Sequence, residues 1–261
     1  MYEGPSAKFT EDAATYDDVR PGYPDELYEI IASECHVAEK TEILEIGAGT
    51  GIATEEMDAQ WHAQITALEP DVDSFTFLQN RFRGKENITL CNTSFEAYTR
   101  LKPFDLVVSA TAFHWADRRT RFYRAHRSLT GEGALILFWN NFSRTDDRIF
   151  DEIQAIYKRY YPIKTFNNDI RIIQRKSIED RKRSITKRGL FTIVRHEELY
   201  THRMYSGPEY VKLLKTFSKN AMRPADSMAL FYTKMEELIT SHGGLDLPIL
   251  IDLNIARKLK A

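Results

Sequence analysis

Short apolar runs of strand length recur along the first half of the chain, at residues 43–46, 65–68, 88–90, 104–109 and 134–139. Runs of this length without polar alternation are expected of strands buried on both faces of a parallel sheet. Stretches with helical spacing lie between them. Asp25 to Ser33 carries Leu27, Ile30 and Ile31 on one face, with Asp25 as the expected N-cap. Further helices are predicted from Ile52 onward, from Asp73 to Arg83, and from Arg118 to Leu129, the last closed by Thr130-Gly131-Glu132-Gly133. Regular strand–helix alternation predicts an α/β fold with a doubly wound sheet.

The second half changes pattern. Residues 191–205 are rich in β-formers that alternate with charges, and Ile249, Ile251, Leu253 and Ile255 alternate within 247–255. These predict a sixth and a seventh strand. Between the fifth and sixth strands, about residues 143–189, Ile149, Ile153, Ile156 and Tyr157 fall at helical spacing, followed by Tyr160-Tyr161-Pro162. Gly207 to Ser218 and Pro224 to Ser241 read as two more helices. Without a repeat or a low-complexity linker, residues 1–261 are expected to form a single domain.

Chemistry enters at Glu42 to Gly51, EILEIGAGTG, where the first apolar run breaks into glycines before a helix. Glycines at alternate positions allow backbone to approach a ligand where a side chain would block it. About twenty residues later the second strand ends in Glu69-Pro70-Asp71, and an acidic residue at that distance can accept hydrogen bonds from both hydroxyls of a ribose. A dinucleotide fingerprint spaces its glycines G-x-G-x-x-G, whereas Gly47, Gly49 and Gly51 follow G-x-G-x-G. Glu45, just before the loop, adds negative charge that favours a cationic ligand over a pyrophosphate. A sulfonium cofactor fits this pattern better than a dinucleotide.

Bulk properties narrow the partners. Hydrophobic residues make up 43% and charged residues 28%, and the formal charge of −2 gives no general attraction to nucleic acid or acidic membrane. No apolar run approaches the roughly 18 residues of a membrane span, and the N-terminus has no signal-like apolar core, so a cytoplasmic location is expected. Cys35 and Cys91 lack metal-ligand spacing and read as reduced packing residues. No metal constellation is present in the sequence pattern.

LEIGAGTG at Leu44 to Gly51, together with Glu69, resembles the class I S-adenosylmethionine-dependent methyltransferases, and FDLVVSATAFHW at 104–115 resembles their small-molecule branch, which includes trans-aconitate methyltransferase. The resemblance implies a Rossmann-like seven-stranded sheet of order 3-2-1-4-5-7-6 with the seventh strand antiparallel. It implies an N-terminal capping arm over residues 1–24 and a helical lid over 143–189. Cofactor contacts are implied at Tyr16, Arg20, Glu45, Gly47, Ala48, Gly49, Thr50, Gly51, Glu69, Pro70, Ser94, Phe95, Ser109 and Ala110. Arg20 is the candidate partner of the cofactor carboxylate, and Phe95 of the adenine ring. A substrate pocket is implied at Tyr23, Phe113, His114, Trp115, Asn140 and Tyr157, with His114 the candidate catalytic base.

Blander readings stand beside these. Phe95 also reads as core, His114 as a structural histidine, and the lid tyrosines as the lid's own packing. The basic segment 171–188 reads as a solvated helix face, with an acidic substrate or partner second. The expected reaction is methyl transfer from S-adenosylmethionine to a small-molecule oxygen, carboxylate or hydroxyl, by a monomer or homodimer with no metal. A nucleic-acid methyltransferase and a non-catalytic cofactor-binding protein are the alternatives.

Overall fold

The computed structural model describes residues 13–99, 102–143, 147–161, 170–217, 220 and 225–259. The expected segment at 1–24 therefore lies partly outside the described residues, as does the middle of 143–189. Strands β1 (Glu42–Ile46), β2 (Gln64–Leu68), β3 (Ile88–Cys91), β4 (Phe104–Ala110), β5 (Leu129–Phe142), β6 (Phe191–Tyr205) and β7 (Leu245–Lys258) form one sheet. Its order is β3-β2-β1-β4-β5-β7-β6, as expected, and β7 runs antiparallel. The β1, β2 and β4 runs are buried on both faces because helices cover them: α2 (Asp25–Cys35), α3 (Ile52–Trp61), α4 (Val72–Arg81) and α5 (Arg121–Ser128) follow the crossovers, after a short α1 (Ala13–Val19).

Three local expectations are corrected. Pro24, not Asp25, is the N-cap of α2, and Asp25 instead accepts a hydrogen bond from Gln60. The strand β5 begins at Leu129, which pairs with Phe104, so residues 130–133 are an irregular insert in the strand rather than a helix stop. The helix α5 starts three residues later than predicted, at Arg121, because Asp117 engages Arg119 and Thr120 in a turn.

The chain divides into two compact units. One comprises Gly22–Asn140, Ser177–Leu199 and Ile251–Ala261, the other Met1–Pro21, Asn141–Lys176 and Tyr200–Leu250. In the first, Leu44, Ile46, Leu68, Val107, Leu135, Leu137 and Trp139 from the strands pack against Phe113, Phe122, Ala125 and Ile185. In the second, the helices α6 (Asp147–Tyr160), α8 (Gly207–Lys215) and α9 (Ala225–Ser241) gather around Tyr205, Leu213, Leu214, Phe231, Met235 and Ile239. A capping box between Ser206 and Glu209 starts α8. The remaining helix, α7 (Ile170–Thr186), has residues in both units.

Candidate active site

Strand β1 stops where the chain turns through three left-handed glycines, Gly47 (φ 72°), Gly49 (φ 60°) and Gly51 (φ 92°). Their surroundings differ. A Cβ on Gly47 would lie 2.6 Å from the Ala112 methyl, and one on Gly51 would lie 2.6 Å from the Phe82 ring and 2.7 Å from Leu78. Beside Gly49 there is nothing within 4 Å. Two of the glycines are therefore demanded by packing as well as by φ, and the third borders open space. The amides of Gly47 and Ala48 both donate to the Leu68 carbonyl, which ties the loop to the end of β2.

Glu69 stands at that end, only 4% exposed. One carboxylate oxygen accepts from the Gly49 amide at 2.8 Å and the other from the Asp71 amide at 2.8 Å. A carboxylate offers about four lone-pair directions, so each oxygen keeps one for a ribose hydroxyl. Burial raises the pKa of Glu69, and the two amides pull the other way. Asn92 braces the turn by donating to the carbonyls of Glu69 and Pro70. Val72, an apolar side chain 63% exposed next to this turn, is a candidate for contact with an adenine that pattern reading passed over. The hydroxyl of Thr50 is buried without a hydrogen-bond partner among the described residues. Open space beside Gly49, an orphaned hydroxyl and a pre-aimed carboxylate are together suited to a ribose-bearing ligand.

Glu45 is buried beneath α3 and accepts a 2.6 Å hydrogen bond from Thr54. Burial, opposed by that hydrogen bond, pushes its pKa up to about 7, and Glu56 on α3 reaches about 7 for the same reason. The folded value lies above the unfolded one, so the native state holds a proton that the unfolded chain releases between about pH 4.5 and 7. Stability therefore falls as pH rises through that interval. Glu45→Gln keeps a partner for Thr54, and it is expected to raise the melting temperature at pH 8 by several degrees while changing little at pH 4. An equal gain at both pH values in thermal melts would show that ionisation is not the cause.

Strand β4 is followed by a strained residue. Thr111 is β-branched yet adopts φ 53°, a conformation that costs on the order of 1–3 kcal/mol. Its amide donates to the Phe138 carbonyl, and its hydroxyl accepts from the Asn140 amide (3.2 Å) and is hydrogen-bonded to the Tyr23 hydroxyl (2.9 Å). This turn presses Ala112 against Gly47. Tyr23 is held by Glu56 through its amide and by an edge contact on Phe138. Tyr23 and Asn140, both expected at the substrate pocket, thus converge on Thr111, which sequence reading missed. The only hint was its place after the β4 run.

Other expected site residues are placed differently. Phe95 is 4% exposed in the hydrophobic core under Arg124, so its ring has no open face for adenine. Ser94 caps its own turn by accepting from Ala97. Ser109 is fully buried and donates to the Ile46 carbonyl, while Ala110, the last residue of β4, is partly exposed. Phe113 is 1% exposed and belongs to the core, not to a pocket wall. His114 and Trp115 follow it in a single 3-10 turn, their rings 5.0 Å apart, with Trp115 48% exposed. His114 makes no hydrogen bond to a described residue. Crowding of its ring, with Arg181 and Arg121 nearby, pushes its pKa down to about 4.

Tyr16, Arg20 and Tyr157 fall in the other unit. There Arg20 donates to Thr216 at both Oγ1 and O (3.0 Å each) and lies 4.9 Å over each of the Tyr16 and Phe217 rings. Its fork is already engaged within that unit. Tyr157 packs with Tyr161 and Phe231 at 5.4 and 4.9 Å. The basic segment is not uniformly solvated. Lys182 and Arg183 make exposed pairs with Glu179 and Asp180, but Arg181 binds the fully buried Asp252 at 2.8 Å and Arg188 donates to the carbonyls of Arg118 and Arg119. Among the described residues there is no cluster of three or more metal-ligating side chains, and no helix is long and apolar enough to cross a membrane.

The family described as "Methyltransferase domain" matches residues 43–133, from β1 through the start of β5. An uncharacterised methyltransferase of Schizosaccharomyces pombe is 25% identical over 88% of this chain and 86% of its own length. A malonyl-[acyl-carrier protein] O-methyltransferase of Ilyobacter polytropus is 24% identical over 82% of this chain and 79% of its own. A solved structure described as a type II methyltransferase from Anaeromyxobacter dehalogenans superposes with a TM-score of 0.64 at 17% identity, covering 93% of this chain and 99% of that one, which speaks for the fold. The family match over residues 43–133 and these relatives support a class I S-adenosylmethionine-dependent methyltransferase.

Proposed function

We propose that the enzyme methylates a carboxylate oxygen of a small-molecule acceptor. The observation that carries this reading is the composition of the β4 end. The Thr111 and Tyr23 hydroxyls and the Asn140 amide meet at the strand end, the His114 imidazole follows in the next turn with Arg181 and Arg121 near it, and among the described residues no carboxylate hydrogen-bonds to His114. An imidazole with no carboxylate to orient it among the described residues, and with Arg181 and Arg121 disfavouring its cation, is a weak base for an alcohol, whose proton is held far more tightly. A carboxylate arrives already ionised and needs no base. The related malonyl-[acyl-carrier protein] O-methyltransferase supports an oxygen acceptor.

When bound, S-adenosylmethionine supplies an electrophilic methyl group on a sulfonium. Glu69 is the group that would hold its ribose, the space beside Gly49 would admit it, and Thr50 has a hydroxyl left to satisfy. At the β4 end, the strained Thr111 holds Tyr23 and Asn140 in place, so the polar groups that orient an acceptor oxygen need little rearrangement. Such alignment accounts for a large share of displacement catalysis, up to about 7–11 kcal/mol in well-oriented systems. An acceptor carboxylate would arrive ionised, so methyl transfer from the sulfonium to its oxygen would require no residue of this chain to take a proton. The test is a screen of small acids with isotopically labelled S-adenosylmethionine, followed by mild alkali. Label released as methanol identifies an ester and supports the reading; label that survives alkali points to an ether or an amine and overturns it.

A further inference from the structure

The reaction just described leaves one partly buried acid without a task. Glu56, in the second turn of the helix that leaves the glycine loop, sends its carboxylate to the segment before α2. One oxygen accepts from the Tyr23 amide at 3.1 Å and the other from the Tyr28 hydroxyl at 2.7 Å. A Cβ on Gly22 would overlap the first oxygen, and its nearest neighbours would all be atoms of the Glu56 carboxyl. Gly22 does not adopt left-handed backbone, so the room it leaves serves the carboxylate and not a turn. Tyr28 is 1% exposed and fixed edge-on against Trp61 (5.5 Å) and Phe138 (6.5 Å), which anchors the carboxylate on one side. On the other side a circuit closes within one compact unit. The Tyr23 ring meets Phe138 edge-on at 4.7 Å, and its hydroxyl is hydrogen-bonded to Thr111. Asn140, whose amide donates to the same Thr111 oxygen, reaches back to the Gly22 carbonyl at 3.5 Å.

Burying a carboxylate is costly, and a neutral amide of the same shape could meet both groups here. What the charge adds is grip, since a hydrogen bond to an ionised acceptor is roughly twice as strong as a neutral one. We propose that Glu56 is a positioning residue for methyl transfer: its charge seats the Gly22–Tyr23 corner and so holds the Tyr23 hydroxyl on Thr111, where it orients the acceptor oxygen. This rests on the reading that the acceptor meets the end of β4, but the seating itself is measured without turnover. Facing the Glu56 carboxyl are Tyr23 and Tyr28 from the α2 side, Glu55 on its own helix, Arg81 from α4 and Glu45 from β1. Arg81 spends its guanidinium on Glu55 (2.8 Å) and the Thr50 carbonyl (3.0 Å). Burial therefore prevails and pushes the Glu56 carboxyl up to about 7. The grip is full above that pH and weakens as pH falls through it.

The Tyr23 backbone amide reports the seat directly. Its proton resonance, followed across neutral pH in the full-length protein, is expected to titrate with a midpoint at about 7 and to lose that titration in Glu56→Gln. Glu45 titrates in the same interval but is unchanged in the variant, so the difference between the two curves belongs to Glu56. With an acceptor from the acid screen, wild-type kcat should rise as pH climbs through about 7. Glu56→Gln should lack that rise and fall roughly tenfold short above it, the worth of one hydrogen bond, with S-adenosylhomocysteine bound as before. Tyr23→Phe should lose about as much, and adding Glu56→Gln to it should cost little more, because both act through one hydroxyl. Gly22→Ala displaces the carboxylate and should match Glu56→Gln, yet be silent beside Glu56→Ala, where the space is vacated. A Tyr23 resonance that does not titrate, or titrates alike in a folded Glu56→Gln, overturns the proposal. So do losses that add in the double variant. Failure of the whole acid screen beside a Glu56-dependent Tyr23 titration would remove the carboxylate acceptor and leave the seat standing.

Discussion

Glu69→Ala is expected to weaken binding of S-adenosylmethionine and S-adenosylhomocysteine by roughly 10²–10⁴-fold, measured by titration calorimetry. The carboxylate is almost fully buried, is already held by the amides of Gly49 and Asp71, and keeps a lone pair on each oxygen for a ribose hydroxyl. Two hydrogen bonds to a charged acceptor, at about 1.5–3 kcal/mol each, account for that range. The protein should still fold. The two amides lose a partner, which costs a few kcal/mol at most and lowers the melting temperature by several degrees. Equal loss of both ligands points to the ribose, which they share, whereas a loss confined to S-adenosylmethionine would point to the sulfonium. An unchanged affinity in a folded variant would remove Glu69 from the site.

The glycine loop permits a second, sharper test, because its three glycines serve different ends. Gly51→Ala would place a methyl 2.6 Å from Phe82 and 2.7 Å from Leu78 at φ 92°, and Gly47→Ala one 2.6 Å from Ala112 at φ 72°. Left-handed backbone costs an alanine about 1–2 kcal/mol, and overpacking adds about 1–3 kcal/mol. Both variants should lose roughly 5–15 °C of melting temperature, at about 2–4 °C per kcal/mol for a chain of this size. Gly49→Ala bears the backbone cost alone, since its methyl meets nothing. It should melt only a few degrees low and yet bind S-adenosylhomocysteine at least tenfold more weakly, because the methyl occupies space the backbone leaves open. Wild-type binding by Gly49→Ala would mean that the cofactor lies elsewhere.

These two tests concern the part of the site that was plain in the chain itself. Gly47, Gly49, Gly51 and Glu69 are joined by a strand, a turn and a helix whose local rules are short-ranged, so spacing alone brings them together. Phe95 failed for the opposite reason. An aromatic residue after a strand looks alike whether it turns to a ligand or to the core, and the choice fell to Arg124 and the neighbouring helix, distant in sequence. Arg181 read as one of many basic residues on a helix until Asp252, 71 residues further on, was found buried against it.

By itself the sequence determined the succession of strands and helices and the glycine–acid pair at the ends of the first two strands, because apolar periodicity and backbone φ preferences act within a few residues; the order of strands in the sheet came only with the family resemblance. Only the tertiary structure decided which polar groups face one another. Thr111 took a strained backbone because strands β4 and β5 and the Tyr23 segment meet over it, and Arg121 donates to the Phe113 carbonyl while its buried Nε has no acceptor among the described residues. Burial, and with it the protonation of Glu45, is a property of what surrounds a side chain in space, and no local pattern of residues carries that information.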